Sequence, residues 1–375
     1  MPKTRVLVVD DAVVVRRLVT EVLSSDPDIE VVGTAANGRL ALAKVESLQP
    51  DLITLDIEMP ELDGLETLVA LRKTHPRLPV IMFSTLTERG ASATLEALAR
   101  GATDYVTKPA NVGSLSQAQE KIREELIPRI LALCGRVRRV TALAPAAPVP
   151  AEPRVVRRPS LPTRVDILAV GVSTGGPNAL ASLLPALPAE FPLPIVIVQH
   201  MPPVFTRFLA ERLSSCSRIT VREGEDGALV EPGIAWVAPG NHHMLVERQG
   251  DVFRLRLNQD AQENSCRPAV DPLFRSVAAT HGNRTLALVL TGMGQDGLRG
   301  AEVIRQAGGQ VLVQDEASSV VWGMPGAVAT AGQADAVLPL DSIAGELVQR
   351  AAVGRLPSFP PPVQYAGRGE ARGDP

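Results

Sequence analysis

Three residue types that together make an acyl-transfer centre follow apolar runs in the second half of the chain. They are Ser173 in GVSTGGP (171–177), His200 in QHMPP (199–203) and Asp296 in TGMGQDG (291–297). A serine hydroxyl is a poor nucleophile until an imidazole takes its proton, and a carboxylate must orient that imidazole. GVSTGGP taken alone also fits a phosphate- or nucleotide-binding turn, because its glycines permit a tight strand-to-helix turn where backbone N–H groups collect. The first half carries a different set. Asp10 and Asp11 follow RVLVV, Asp56 follows DLITL, Ser84 and Thr85 follow LPVIMF, and Lys108 follows ATDYVT. Clustered carboxylates repel one another unless a hard cation joins them, and Mg2+ takes oxygen ligands of this kind. A carboxylate held beside Mg2+ and a lysine is a suitable acceptor for a phosphoryl group.

The elements that must position these residues are legible as alternating patterns. RVLVV (5–9), EVVGTA (30–35), DLITL (51–55), LPVIMF (78–83) and ATDYVT (102–107) predict strands. Between them Leu18/Val19/Val22/Leu23, Leu40/Ala43/Val45/Leu48, Leu65/Leu68/Val69/Leu71 and Leu95/Leu98/Ala99 recur at helical spacing, and a last helix is expected over 115–133. Five such repeats predict a doubly wound, flavodoxin-like parallel sheet, whose ligands gather at the carboxyl ends of strands. Further on, VDILAVGV, PIVIVQH, RTLALVLTG and QVLVQ are continuous apolar runs, typical of strands buried on both faces. Helical patterns follow Pro177, Pro203, Pro268 and Gly297, and 219–257 reads as shorter strands with Gly and Pro turns. The expectation is a second α/β domain, doubly wound and mostly parallel, with a small antiparallel insertion.

Composition sets the boundaries. A chain of 375 residues, 45% hydrophobic and 21% charged, suggests two or three globular domains. From Arg136 to Arg164 there are six prolines, seven arginines and one acid, Glu152, which reads as a flexible linker; a basic arm for an acidic partner is the alternative. The expected organisation is a first domain over 1–135, a linker over 136–164, a second domain over 165–355 and a disordered tail over 356–375. A net charge of −3 offers no general attraction to nucleic acid or an anionic membrane. Cys134, Cys216 and Cys266 are too widely spaced for a disulfide framework, and neither a signal peptide nor a membrane span is evident, so a cytoplasmic location is expected.

Other candidates compete for the chemistry. His242 and His243 suggest a metal, yet no third ligand is near in sequence; His281 reads as a helix C-terminal cation, and Asp271 as a helix N-terminal acid. Asp315 lacks a glycine-rich setting. The nucleophile elbow of α/β-hydrolases fails on chain order, which here is serine, histidine, aspartate.

VVDD (8–11), LDIEMPELDGLE (55–66), FST (83–85) and TKP (107–109) resemble the receiver domain of two-component response regulators. That resemblance implies Asp56 as phosphoacceptor, Asp10 and Asp11 as Mg2+ ligands with it, and Lys108 as a phosphoryl contact. It implies Ser84 as the switch hydroxyl and Tyr105 as the aromatic switch. AVGVSTGGP, VQHMPPVFTRFLAERL, AWVAPGNHHM, RPAVDPLF, LTGMGQDG and WGMPGA resemble the catalytic domain of the chemotaxis protein-glutamate methylesterases, the CheB family. There the resemblance implies Ser173 as nucleophile, His200 as base then acid, Asp296 as orienting carboxylate, Met293 as an oxyanion donor and Thr174 as a support for the histidine. Trp322 stands where that pattern often has Phe. The implied activity is hydrolysis of glutamate γ-methyl esters on methyl-accepting chemoreceptors and deamidation of receptor glutamines. A chemotaxis histidine kinase would be the phosphodonor, with no cofactor in the esterase domain. The rivals are a DNA-binding output, which would need a basic helix-turn-helix, and a non-catalytic phospho-dependent adaptor, which would lack a triad member.

Overall fold

The structure is a computed structural model that describes residues 2–109, 114–142 and 163–355. The N-terminal domain runs β1 (Thr4–Val9), α1 (Val13–Ser24), β2 (Ile29–Ala35), α2 (Gly38–Leu48), β3 (Leu52–Asp56), α3 (Gly64–Thr74), β4 (Val80–Ser84), α4 (Glu88–Ala99), β5 (Asp104–Thr107) and α5 (Leu115–Ala142). Its five strands are parallel in the order β2-β1-β3-β4-β5. Polar side chains start the helices: Asn37 caps α2, Thr87 caps α4, and Asp63 with Glu66 forms a reciprocal capping box on α3. The chain steps one way from β1 to β2 and the other way to β3, so a crevice opens between β1 and β3 at their carboxyl ends.

The last helix differs from its expected end at 133. It continues to Ala142, into the expected linker, since no proline stands between Pro128 and Pro145 to stop it. The rest of the expected linker, 143–162, and the expected tail, 356–375, lie outside the described residues.

The second domain runs β6 (Ile167–Val172), α6 (Gly176–Leu183), β7 (Ile195–Gln199), α7 (Phe205–Cys216), β8 (Thr220–Glu223), β9 (Ile234–Val237), β10 (His243–Gln249), β11 (Val252–Asn258), α8 (Val270–His281), β12 (Thr285–Val289), α9 (Leu298–Gln306), β13 (Gln310–Gln314), α10 (Met324–Thr330), β14 (Ala336–Leu338) and α11 (Leu340–Ala352). Seven parallel strands lie in the order β14-β13-β12-β6-β7-β9-β8, and β10 and β11 form a separate antiparallel pair. The first strand of the domain, β6, is central, with β7 on one side and β12 on the other. Every residue of β6, β7 and β12 is buried, which is why their sequences are apolar without alternation. The antiparallel insertion is smaller than the 219–257 expected. β8 and β9 join the parallel sheet because Val221, Ala235 and Val237 turn into its core.

The two domains pack together along α4 and β5 of the first and α6 and α7 of the second. Tyr105 stacks on Phe205, ring centroids 5.0 Å apart and planes 7° from parallel. The Thr174 hydroxyl favours the charged form of buried Asp104 across the contact, and Asn178 Nδ2 lies 3.5 Å from the Ala102 carbonyl. Arg207 pairs with Glu88, and Arg212 donates to the Leu95 carbonyl. The Arg207 pair is largely solvated and adds little, whereas a buried aromatic pair is worth about 0.5–1.5 kcal/mol beyond its area.

Candidate active site and phosphoacceptor site

Ser173 and His200 directly follow β6 and β7, and Asp296 lies in the loop between the neighbouring strand β12 and α9. At Ser173 the chain turns sharply into α6. Gly175 takes φ +77° there, a conformation that glycine adopts without a Cβ penalty. The loop after β12 passes so close that a Cβ on Gly292 would sit 2.7 Å from Ser173 Cβ, so only glycine fits. Buried Gln199 donates through Nε2 to the carbonyls of both Ser173 (3.0 Å) and His200 (3.2 Å), tying one strand end to the other.

His200 Nε2 and Asp296 Oδ2 are 2.8 Å apart. Asp296 is 2% exposed, and its charge is met from all sides. The Val270 N–H reaches Oδ2 at 2.7 Å; Asn264 Nδ2, the Asp271 N–H and the Gly297 N–H reach Oδ1 at 2.8, 3.1 and 3.0 Å. Burial pushes the Asp296 carboxyl up, but the His200 bond and the backbone donors outweigh it and hold it below the usual carboxylate range. Burial likewise works against a charged imidazole at His200, yet Asp296, and then Cys266, hold its proton affinity above the ordinary value. With Nε2 turned to the carboxylate, Nδ1 is the nitrogen left to serve as base, and Cys266 Sγ lies 3.6 Å from it.

Met293 is half-buried in the loop between Gly292 and Gly294, and its N–H has no partner among the described residues. Thr174, expected to support the histidine, accepts from the Thr291 hydroxyl through its carbonyl at 2.9 Å, and its own hydroxyl acts on the charge of Asp104 of the first domain. A cleft of about 490 Å3 lies alongside, lined by Gly294, Gln295, Trp322, Gly323, Ala327 and Thr330 among others. The competing residues have structural work. Both ring nitrogens of buried His243 meet backbone groups, the Ala261 carbonyl and the Ala269 N–H. Asp271 opens α8 as expected, and its Oδ1 also accepts from the Gly297 and Gly300 N–H groups at the start of α9. His281 does end α8, but it is not the cation expected: burial beside Phe253 lowers its pKa to about 4.

In the first domain Asp10, Asp11 and Asp56 bring ligand oxygens within 4.8 Å of one another at the β1–β3 crevice. Lys108 Nζ is 2.8 Å from an oxygen of Asp10 and of Asp56. Burial, then the charge of Asp10, outweigh Lys108 and raise the Asp56 pKa to about 6. Among the described residues buried Asp10 Oδ2 meets only the Lys108 ammonium, and an all-oxygen donor set with one exposed member, Asp11, suits a small hard cation that keeps waters. The adjoining cavity of about 170 Å3 includes Ser84, Thr85 and Gly90. Ser84 Oγ faces the Gly90 carbonyl on α4, at 3.2 Å. Tyr105 is buried in the contact with the second domain.

Sequence reasoning did not single out Gln199, Asn264 or, as a neighbour of the histidine, Cys266. Gln199 had a signal, a polar residue closing an all-apolar strand; Asn264 and Cys266 had none, because their loop reaches the site only through the tertiary fold.

A receiver-type domain joined to an α/β domain with serine, histidine and aspartate at adjacent strand ends defines a class of switchable hydrolase. Residues 6–120 match the response regulator receiver domain and 168–347 match the CheB methylesterase. The chain is 55% identical over 350 residues, 93% of its length and 99% of the relative's, to a protein-glutamate methylesterase/protein-glutamine glutaminase of Trichodesmium erythraeum. A Nocardioides protein of the same name is 53% identical over 369 residues, covering 96% of this chain and 99% of its own. The crystal structure of the Thermotoga maritima CheB methylesterase catalytic domain covers 50% of this chain and 99% of itself at 43% identity, with a TM-score of 0.49. The chain belongs to the CheB methylesterase family.

With His200 as the base in its neutral form, ester cleavage is expected to rise with pH through a midpoint above the ordinary imidazole value of 6.5. Asp296→Asn removes the partner that raises it. The pH profile of kcat/KM for that variant should shift its acid limb downward, with a rate lower by on the order of 10⁴-fold.

Proposed function

We propose that this chain hydrolyses glutamate γ-methyl esters on chemoreceptors and deamidates specific receptor glutamines, through a Ser173–His200–Asp296 acyl-enzyme mechanism switched on by phosphorylation at Asp56. The observation that carries the reading is the 2.8 Å His200–Asp296 contact at the strand end next to Ser173, in a chain that belongs to this family.

In this mechanism Ser173 Oγ attacks the ester carbonyl carbon while His200 Nδ1 takes the hydroxyl proton, and Asp296 stabilises the imidazolium that forms. The carbonyl oxygen, now negative, would be met by the N–H of Met293, which has no partner among the described residues. Collapse breaks the ester C–O bond, His200 returns the proton to the departing oxygen, and methanol leaves. Water then attacks the acyl-enzyme with His200 again as base, freeing the glutamate carboxylate and Ser173. A glutamine side chain follows the same course with ammonia as the leaving group. The cleft beside Trp322 and α10 is open enough for a receptor segment to present its side chain. A dead adaptor is disfavoured, since the sequence carries serine, histidine and aspartate at all three positions and close relatives are named methylesterase/glutaminase.

In the receiver, Asp56 Oδ would accept the phosphoryl group from a chemotaxis histidine kinase, with Lys108 holding one of its oxygens. A Mg2+ ion bound by Asp10, Asp11 and Asp56 would neutralise the charge of the transferred group. Ser84 would then turn from the Gly90 carbonyl toward the phosphoryl oxygens. That removes a tether from α4, the helix that meets Arg207 and Arg212 of α7. Docked as it is against Thr174 and Phe205, the receiver crowds the residues flanking Ser173 and His200, and its release frees them. A cytoplasmic location fits a kinase donor and the cytoplasmic segments of receptors; no described helix is long and apolar enough to cross a membrane.

Methanol release from methylated receptor membranes tests the esterase reading. Ser173→Ala and His200→Ala should each lose nearly all activity, about 10⁴-fold or more, and the double variant should be little worse. More than a few per cent of the rate left in Ser173→Ala would assign the nucleophile elsewhere. For the receiver, Asp56→Asn and chelation of divalent cations should each abolish labelling by a small-molecule phosphodonor; label persisting in Asp56→Asn protein would point to another acceptor.

A further inference from the structure

We propose that Asn264 is a positioning residue of the triad, its side-chain amide bridging Asp296 to the second buried carboxylate, Asp271, so that Asp296 stays charged and aimed at His200. The inference rests on the reading of Ser173, His200 and Asp296 as the triad.

Asn264 Nδ2 lies 2.8 Å from Asp296 Oδ1 and 3.0 Å from Asp271 Oδ2. The two acids are 2% and 1% exposed, so neither can rely on bulk water. An amide nitrogen has two N–H bonds, and here each has one carboxylate to meet. The remaining oxygens are already used: Asp271 Oδ1 accepts from the Gly297 and Gly300 N–H groups at 3.0 and 2.7 Å, and Asp296 Oδ2 faces His200 and the Val270 N–H. Two buried carboxylates this close repel, and burial together with the Asp296 charge already pushes the Asp271 carboxyl up, so the amide between them lowers the cost of keeping both ionised. A protonated Asp296 would neither orient His200 nor stabilise its cation. The bridge must also be neutral. A lysine or arginine at this point would share the Asp296 charge with His200 and weaken the imidazolium it has to support. An amide supplies two donors and no charge.

Asn264 itself is exposed, and the surrounding loop turns its amide nitrogen toward the two buried acids. Glu263 and Cys266 exchange backbone hydrogen bonds of 3.2 and 2.9 Å, closing a tight turn. Within it Asn264 takes φ +52° and Ser265 φ +61°, left-handed conformations of which asparagine is tolerant. Arg275 of α8 clamps the Glu263 carboxylate with both terminal nitrogens, which ties the turn to the helix that also carries Asp271. The same turn sets Cys266 Sγ beside His200 Nδ1.

The test uses the full chain with phosphodonor and measures methanol release. Asn264→Gly keeps the left-handed turn and removes the amide. Loss of a hydrogen bond to a buried charge should lower kcat about 10–100-fold while KM changes less than about twofold. Asn264→Asp, nearly the same shape but an acceptor, should lose more. Adding Asp271→Asn to either variant should restore several-fold of the lost kcat, because Asp296 can then keep its charge; a residue that merely anchored the loop would gain nothing from that second change. If Asn264→Gly does not fold, the Asn264→Asp pair of proteins carries the same comparison. Wild-type kcat in Asn264→Gly, or double variants no faster than the single ones, would overturn the proposal. Ser173→Ala measured alongside keeps the two readings apart: its retaining activity would refute the triad, whereas its inactivity with an unaffected Asn264→Gly would refute the bridge alone.

Discussion

A buried carboxylate has to be answered by donors, and Asp296 is the charge around which the second domain closes. Its five partners come from four places: the strand end after β7, the 263–266 turn, the first residues of α8 and the turn into α9. Left unpaired, the charge would cost several kcal/mol, so the same interaction that orients His200 also fixes the loops that form the site. The parallel sheet supplies the rest of the constraint. With β6 central and β7 and β12 beside it, residues at three successive strand ends converge whatever lies between them in sequence.

The same logic of strand ends builds the receiver, and the contact between the domains joins the two sites. Asp104 is buried there with Arg129 at 3.2 Å and the Thr174 hydroxyl on its other side, and burial raises its pKa despite these partners. Burying such a pair costs desolvation that its mutual attraction only partly offsets. The contact between the domains combines one aromatic stack, a partly compensated carboxylate, one exposed ion pair and buried apolar side chains of α4, α6 and α7. A local rearrangement at Ser84 and α4 acts directly on this contact, and couplings between sites typically amount to about 1–3 kcal/mol.

Much of this was legible in the sequence, for physical reasons that differ by element. Strands buried on both faces leave uninterrupted apolar runs, and a polar residue closing such a run, as His200 closes PIVIVQ, stands out. The acids after β1 and β3 stand out in the same way. The membership of β8 and β9 in the parallel sheet was not legible, because four-residue strands between Gly and Pro turns read alike in either sheet. The helix beyond residue 133 was hidden by its arginines, which read as linker. His281 read as a cation because the sequence does not show Phe253 lying over it. Asn264 and the Asp104–Thr174 contact depend on segments meeting across long stretches of chain, and no local pattern records them.

The central claim is that the docked receiver restrains the triad and that phosphorylation relaxes it. The most direct measurement compares methanol release by the full chain, with and without phosphodonor, for the wild type and for Tyr105→Ala, which removes the stack on Phe205 without touching either site's acids or the triad. Unphosphorylated Tyr105→Ala should be about 5–150-fold faster than the unphosphorylated wild type and should gain correspondingly less from the phosphodonor. An unphosphorylated variant as slow as the wild type, with the full response to phosphodonor intact, would contradict the account.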